Sequence, residues 1–256
     1  MTGRPQFIAS LPLPSVDGPS VRFPLHFAAL VSSACFAACA PRPREDSIAI
    51  EFDFDRSTEP AAWIDVDHRA SPTGITFEHG VDGEAVRFDG SGASIDVTNV
   101  DALPLTSALA VELSVNVADW KNPYAGSALL ESIVSHTDDF TIALLPSTWT
   151  FRADLRSSGG HVRLEGGAVR HGTWQHVALV LDEMDSMARL FVDGVVVDQR
   201  VVHGRIALTP GIPLRIGTWF EKNQAYCGAV DNLRIWQRAL TTSEIAEHAR
   251  ATRPNS

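Results

Sequence analysis

Apolar and polar residues alternate over short stretches along most of the chain from about residue 47 onward. This alternation is typical of strands that bury one face, and it is clearest in AVRFDG, ASIDVTNV, ALAVELSVNV and FTIALLP. The stretch HVALVL is apolar at nearly every position, as expected of a central strand that is covered on both faces. The pattern predicts about a dozen strands and an all-β fold.

Turn-forming clusters separate these stretches and indicate how the strands connect. Asp82-Gly83, Asp193-Gly194 and the sequence SSGG at residues 157–160 supply residues that tolerate the positive φ angles of tight reversals. A dozen short strands cannot bury their faces in one open sheet, so we expect a two-sheet antiparallel sandwich. Near the end of the chain, TTSE at residues 241–244 is a capping box, which predicts one short carboxy-terminal helix over SEIAEHARA.

The amino-terminal region has a different composition. Arg22 is followed by about sixteen mostly apolar or small residues, a length too short for an ordinary transmembrane helix and typical of a secretory signal. We therefore expect a signal peptide over residues 21–39. Residues 1–20 fit no export signal, and we interpret them as an extension upstream of an alternative start at Val21.

The end of the signal, FAAC at residues 36–39, resembles a bacterial lipobox and predicts lipidation of Cys39. The chain would then be exported to the bacterial cell envelope as a lipoprotein, with membrane contact only through the lipid. Ordinary cleavage with secretion, or a buried helix, are the alternatives. Residues 40–46 are predicted to be a linker and residues 47–256 a single domain.

Charge and cysteine content narrow the function classes. The chain has 31 acidic and 21 basic residues, a net charge of -10, and no arginine or lysine cluster that would neutralise phosphates, so we expect no nucleic-acid partner. Cys227 is the one cysteine outside the signal, which excludes an intrachain disulfide in the exported part. Burial of Cys227 in the core and an intermolecular disulfide are the two interpretations.

An ordered set of motifs resembles the laminin-G-like, concanavalin A-like lectin/glucanase jelly roll, in particular its bacterial, pentraxin-related members. The motifs are GVDGEAVRFDG, GTWQHVA, LFVDG, PLRIG and GAVDNLRIW with RAL and SEI after it. The resemblance covers roughly residues 47–250. It implies a two-sheet antiparallel jelly roll that binds carbohydrate or protein ligands and often holds calcium.

Most residues within these motifs are expected to be structural. Trp174, His176 and Trp236 stand at strand positions, where we expect packing and hydrogen bonds to the backbone. We expect Asp193 to stabilise the hairpin turn that it forms with Gly194. We expect Asp231 to accept hydrogen bonds from loop amides, with metal ligation as the alternative.

Catalysis is not expected. The related glucanases use two carboxylates on one strand in the pattern Glu-x-Asp-x-(x)-Glu. The sequence EFDFD at residues 51–55 lacks the final glutamate, and EMDSM at residues 183–187 falls in a predicted turn. Serine-nucleophile, zinc-helix and phosphate-loop motifs are also missing from the sequence.

Two loops carry the predicted calcium ligands. The resemblance to pentraxin relatives places calcium between the loops SHTDD at residues 135–139 and WFEKNQ at residues 219–224. Calcium requires six to eight oxygen ligands, and we predict that four side chains supply some of them: Asp138, Asp139, Glu221 and Asn223. Solvated loop charges are the alternative.

Aromatic residues in loops are the predicted sugar-stacking side chains, because an exposed ring packs on the apolar face of a pyranose. These residues are Trp120, Tyr124, Trp149, Trp219 and Tyr226. Core or loop packing is the alternative for each. The sequence thus predicts an envelope-anchored or secreted module for an extracellular glycan, with calcium-dependent binding as a further expectation; a protein-adhesion domain and a glycan-cleaving enzyme are the alternative functions.

Overall fold

The computed structural model describes residues 48–55, 69–98, 100, 108–118, 130–206, 208–219 and 224–252. In this part of the chain it contains fifteen strands and one helix. The strands are β1 (Ile48–Phe52), β2 (Arg69–Thr73), β3 (Thr76–His79), β4 (Glu84–Asp89), β5 (Ser94–Thr98), β6 (Ala108–Val117), β7 (Glu131–His136), β8 (Phe140–Leu145), β9 (Thr150–Ser157), β10 (Gly160–Ala168), β11 (Trp174–Asp182), β12 (Met187–Val192), β13 (Val195–Val201), β14 (Leu214–Ile216) and β15 (Cys227–Trp236). Helix α1 covers Thr242–Ala251.

The strands form two antiparallel sheets. An eight-stranded sheet has the order β13-β12-β11-β6-β15-β4-β3, with β1 also paired to β15. A seven-stranded sheet has the order β10-β9-β8-β7-β14-β5-β2. The predicted all-β, two-sheet jelly roll with one short carboxy-terminal helix is therefore confirmed.

The main core lies between the sheets and follows the alternation seen in the sequence. On β6, Leu109, Val111, Leu113 and Val115 are buried in one large apolar cluster, and Ile142, Leu155 and Leu164 contribute to it from the seven-stranded sheet. Each such residue removes an apolar side chain from water, which stabilises the fold by about 1.5–3 kcal/mol per side chain. Burial of these two facing layers holds the sandwich together.

A second, smaller core lies on the outer face of the eight-stranded sheet. Ala178 and Val180 of β11 pack there with Ile245 of α1, while Val177 and Leu179 face the main core. Strand β11 is thus covered on both faces, as HVALVL predicts. The outer cover is helix α1.

The Asp193-Gly194 turn confirms the predicted tight hairpin and also sets the position of the helix. Both residues have positive φ, 52° and 83°. A Cβ atom on Gly194 would lie 3.0 Å from the Cα of Ala246 in α1. Glycine is therefore favoured at this position by the positive φ and by the close approach of the helix.

The predicted capping box is present at the start of α1. Thr241 Oγ1 accepts a hydrogen bond from the amide of Glu244 at 3.2 Å, and Glu244 Oε2 accepts one from the amide of Thr241 at 2.8 Å. Helix α1 begins at Thr242, one residue before the predicted start.

Two short strands were not predicted. β2 contains Pro72 and lies at the edge of its sheet, where proline is tolerated because a missing amide donor costs nothing there. β3 has only four residues and is also an edge strand. The predicted extension, signal peptide, linker and lipidated Cys39 lie outside the described residues. Within the part of the chain that the structure describes, no helix is long and apolar enough to cross a membrane.

Candidate functional site

A row of polar side chains crosses the outer face of the seven-stranded sheet. Each member is in register with the next on the adjacent strand, and residues opposite each other in an antiparallel pair project to the same face. Their sequence neighbours, such as Ile142, Leu155 and Leu164, point into the core. The members of this polar row are Asp96, Arg215, Ser135, Thr141, Asp154 and Arg163.

A cleft of about 230 Å³ opens at one end of the polar row, and we call it the groove. Its strand-borne wall comes from β8, β9 and β10, and its loop-borne wall includes Asp138, Trp219 and Gln224. The groove is smaller than the ~300–1,000 Å³ sites that enclose whole drug-sized ligands. It therefore suits a short segment of a larger ligand.

Asp154 organises the groove. Its Oδ2 accepts a hydrogen bond from Nε of Arg152 at 2.5 Å, and its Oδ1 accepts one from Nε of Arg163 at 3.0 Å. His161 lies on the same side, with Nδ1 4.0 Å from Oδ1. The Asp154 side chain is 11% exposed, so two guanidinium groups stabilise a carboxylate that is largely removed from water.

The other end of the polar row is fixed by a second ion pair. Arg215 donates from Nε and Nη2 to the two oxygens of Asp96, at 2.6 and 2.8 Å. This bidentate hydrogen bonding raises the pKa of Arg215 above its usual value, although partial burial opposes the rise. The pair holds both side chains in one orientation on adjacent strands.

Buried polar atoms near the groove have no hydrogen-bond partner among the described residues. They are the hydroxyls of Ser132, Ser135 and Thr218 and the Oε1 of Gln224. Buried polar groups in folded proteins normally have a partner from protein, water or ligand. Of these residues, Gln224 lines the groove and Ser135 belongs to the polar row.

The predicted stacking aromatics fall in different places. Trp219 is half-buried and lines the groove. Trp149 is half-buried outside the groove lining, where its ring stands edge-on to His171 with 4.3 Å between centroids. Trp120 and Tyr124 lie outside the described residues.

The prediction for Tyr226 is wrong. Its side chain is completely buried in the main core, and its hydroxyl donates a hydrogen bond to the carbonyl of Ala229 at 3.1 Å. The ring has no face open to a ligand. No sequence pattern indicated this burial, because Tyr226 lies between the predicted loop at residues 219–224 and β15.

The two adjacent aspartates predicted to bind calcium diverge. Asp139 is buried and accepts hydrogen bonds from His136 Nδ1 at 2.8 Å and from the amide and hydroxyl of Thr209 at 2.6 and 3.0 Å. It therefore ties two loops together instead of offering a free carboxylate, which corrects its predicted role. Asp138 is exposed at the rim of the groove and pairs with Arg156 at 3.2 Å.

The remaining predicted calcium ligands, Glu221 and Asn223, lie outside the described residues. In the parts of the chain that the structure covers, no group of three or more His, Cys, Asp or Glu side chains is placed to hold a metal ion. Calcium binding stays a prediction that depends on Asp138, Glu221 and Asn223.

The motif residues His176 and Trp236 are structural, but their partner is not the expected backbone. His176 Nε2 and Trp236 Nε1 donate to the two oxygens of Glu112, at 3.2 and 3.0 Å, and His248 Nδ1 of α1 donates at 2.9 Å. Burial opposes ionisation of Glu112, yet the hydrogen bonds from His176 and His248 outweigh it and lower its pKa from 4.5 to about 2. Glu112 is the one acidic residue in the largely apolar strand β6, and this feature of the sequence could have indicated a buried polar cluster.

Asp193 and Asp231 have the expected structural roles. Asp193 Oδ1 accepts from the amide of His176 at 3.2 Å, and Asp231 Oδ2 accepts from the amide of Val81 at 2.8 Å. Asp231 is buried, and this burial raises its pKa from 3.8 to about 6. Cys227 is buried as well, which agrees with the interpretation that it packs in the core.

The acidic stretch considered for catalysis is remote from the groove. Glu51 lies on β1 in the eight-stranded sheet and pairs with Arg234 at 2.7 Å. Among the described residues, the carboxylates that line the groove are Asp138 and Asp154, and each pairs with an arginine.

Comparison with known families identifies the class of protein. The family model described as the concanavalin A-like lectin/glucanases superfamily matches residues 89–246, which is more than half of the chain. The chain belongs to this superfamily. No curated protein matches it.

Solved structures share the fold at low identity. Domain 4 of AbnA, a GH43 extracellular arabinanase from Geobacillus stearothermophilus solved in complex with arabinotriose, is 18% identical with a TM-score of 0.58, over 79% of this chain and 98% of that one. The binding domain of Paraclostridial Mosquitocidal Protein 1 is 14% identical with a TM-score of 0.64, and the botulinum neurotoxin serotype D binding domain is 9% identical with a TM-score of 0.60. Each toxin match covers 80% of this chain and 52% of the toxin domain, so the chain spans about half their length.

Proposed function

We propose that the chain is a carbohydrate-binding module that holds a segment of an extracellular glycan in the groove. The observation that carries this proposal is the polar row. Its side chains stand on rigid strands, are oriented by the Asp96–Arg215 and Asp154–Arg163 pairs, and lead into a cleft. Pre-oriented donors and acceptors suit a ligand with many hydroxyls, because little side-chain freedom is lost on binding.

Trp219 supplies the apolar part of such a site. The half-buried indole lies beside charged and hydroxyl side chains. A sugar ring can pack its apolar face on the indole while the hydroxyl groups at its edge form hydrogen bonds with the polar side chains. Membership of a lectin/glucanase superfamily and the arabinotriose bound by the arabinanase domain support the same ligand class. We assign no catalytic step, because the groove carboxylates are engaged by arginines.

The proposal includes export, with anchoring through a lipid on Cys39, and a contribution of calcium at the Asp138 loop. Both come from the sequence patterns. A protein-adhesion function is the second candidate. The exposed Val195 and Val201 on the edge strand β13 favour it.

The test is binding of the purified full chain to a glycan array, in calcium and again with a chelator. A Trp219→Ala variant should lose binding at least tenfold, because it removes the groove aromatic. Trp149→Ala is the matched control, since it removes another half-buried indole that lies outside the groove lining. Equal binding by both variants would contradict the proposed site, and a chain that binds no glycan would shift the function to protein recognition. Loss of binding in chelator would support calcium.

A further inference from the structure

Two arginines in the groove share the carboxylate of Asp154, and each donates to it through its own Nε. Arg152 and Arg163 bind opposite oxygens of Asp154 through Nε. Within the described residues, neither guanidinium donates a hydrogen bond through its terminal nitrogens. Both forks therefore keep donors that no described residue uses.

The geometry of arginine makes these donors selective. A guanidinium is planar and presents its terminal N–H groups as a fork that matches the two oxygens of a carboxylate or of a sulfate or phosphate group. Because Asp154 fixes Nε of both residues, the planes of the two forks are held before a ligand arrives. Binding of a ligand oxyanion would then cost little side-chain conformational entropy, because the arginines are already ordered.

Burial strengthens the preference for an anion. The Arg152 side chain is 14% exposed, so its terminal N–H groups have limited access to water. Hydrogen bonds from a partly desolvated cation are satisfied best by a charged acceptor. Arg163 is 55% exposed and can reach a ligand from the open side of the groove.

The described lining of the groove is balanced in charge. It contains two arginines, Arg152 and Arg163, and two aspartates, Asp138 and Asp154. Asp138 pairs with Arg156, which lies outside the lining, whereas Asp154 is shared by Arg152 and Arg163. Glu165, the next outward-facing residue of β10, lies outside the groove lining and accepts a hydrogen bond from Thr150 Oγ1 at 3.1 Å.

We infer that the groove takes an acidic glycan, with an oxyanion of the sugar bound between Arg152 and Arg163. The oxyanion is either the carboxylate of a uronic acid or a sulfate ester, since both match the arginine forks. This inference rests on the proposed function and specifies its ligand.

The test uses matched pairs of polymers that differ in charge. Titration calorimetry would compare polygalacturonate with its methyl ester, and dextran sulfate with dextran, using the full chain. At least one acidic member should bind about tenfold more tightly than its neutral partner, and the difference should shrink as salt is raised from about 0.05 to 0.5 M. Preference for polygalacturonate identifies a carboxylate, and preference for dextran sulfate identifies a sulfate ester.

Variants separate the groove from general attraction to a basic surface. Arg163→Gln should weaken binding of the acidic polymer about tenfold, and Arg163→Lys should recover only part of it because lysine keeps the charge without the fork. Arg250→Gln is the control, since Arg250 is exposed on α1, over the outer face of the other sheet. Equal losses in Arg163→Gln and Arg250→Gln would overturn the inference.

The remaining outcomes distinguish the inference from the function on which it rests. Equally tight binding of acidic and neutral polymers that is lost in Trp219→Ala would overturn the inference and leave the proposed function standing. Binding of no glycan at all would overturn both.

Discussion

Glu112 of β6 and His248 of α1 are 136 residues apart in sequence and are joined by a hydrogen bond of 2.9 Å. The same carboxylate accepts from His176 and Trp236, so one buried acidic residue connects two strands with the helix. Because α1 also covers the second apolar core, this cluster fixes the helix on the eight-stranded sheet.

Replacement of Glu112 by glutamine should destabilise the protein by about 2–4 kcal/mol, because two buried donors and the half-buried His248 lose a charged acceptor. The free energy of unfolding in urea measures this. Glu51→Gln is the control, since Glu51 also pairs with a basic residue but is exposed, and a change within about 0.5 kcal/mol is expected. Equal effects of the two substitutions would contradict the role given to the cluster.

Acid should weaken the fold through Glu112. Its pKa is about 2 in the folded state and 4.5 as its ordinary value, so the folded state binds fewer protons over that interval. The stabilisation is complete above about pH 4.5 and is lost as the pH falls through about 2. In urea unfolding followed across this range, the wild type should lose stability more steeply than Glu112→Gln, and parallel curves would disprove the assignment.

Asp231 should produce the opposite slope. Burial raises its pKa from 3.8 to about 6, so the folded state holds the proton that the unfolded state releases. Its contribution is present below about pH 3.8 and is lost as the pH rises through about 6. Asp231→Asn has no such proton, so its stability should fall less than that of the wild type between about pH 4 and 7. A variant with an unchanged slope would show that Asp231 does not titrate in this interval.

Gly194→Ala should destabilise more than Gly172→Ala. Both glycines have positive φ, 83° and 65°, which costs an alanine about 1 kcal/mol at either position. Only at Gly194 would the new Cβ also press on α1, 3.0 Å from Ala246 Cα, whereas Gly172 has open space there. We expect an additional loss of about 1–2 kcal/mol from this contact. Thermal unfolding of the two variants measures the difference, and equal melting temperatures would show that the helix moves to accommodate the methyl group.

The strand pattern predicted the fold well because the buried and exposed positions of a strand appear in its sequence as alternating apolar and polar residues. HVALVL on β11 and the Asp193-Gly194 turn are local signals of this kind, and both are confirmed. Strand β2 escaped prediction because an edge strand with Pro72 carries no clear alternation.

The site was harder to predict because its residues meet only through strand pairing. Asp154 and Arg163 are in one hairpin, and counting outward from the predicted turn at residues 157–160 would have placed them opposite each other. Asp96 and Arg215 are 119 residues apart, so no local pattern connects them. Asp138 and Asp139 failed as a pair because neighbouring side chains beside a strand project in different directions.

Helix α1 closes the outer face of one sheet and leaves the groove on the outer face of the other. The two outer faces of the described sandwich therefore differ. A tether placed at an exposed helical position such as Arg250 would orient every copy with its groove away from the support. A sensor surface made in this way would present the proposed binding site uniformly to glycans in solution.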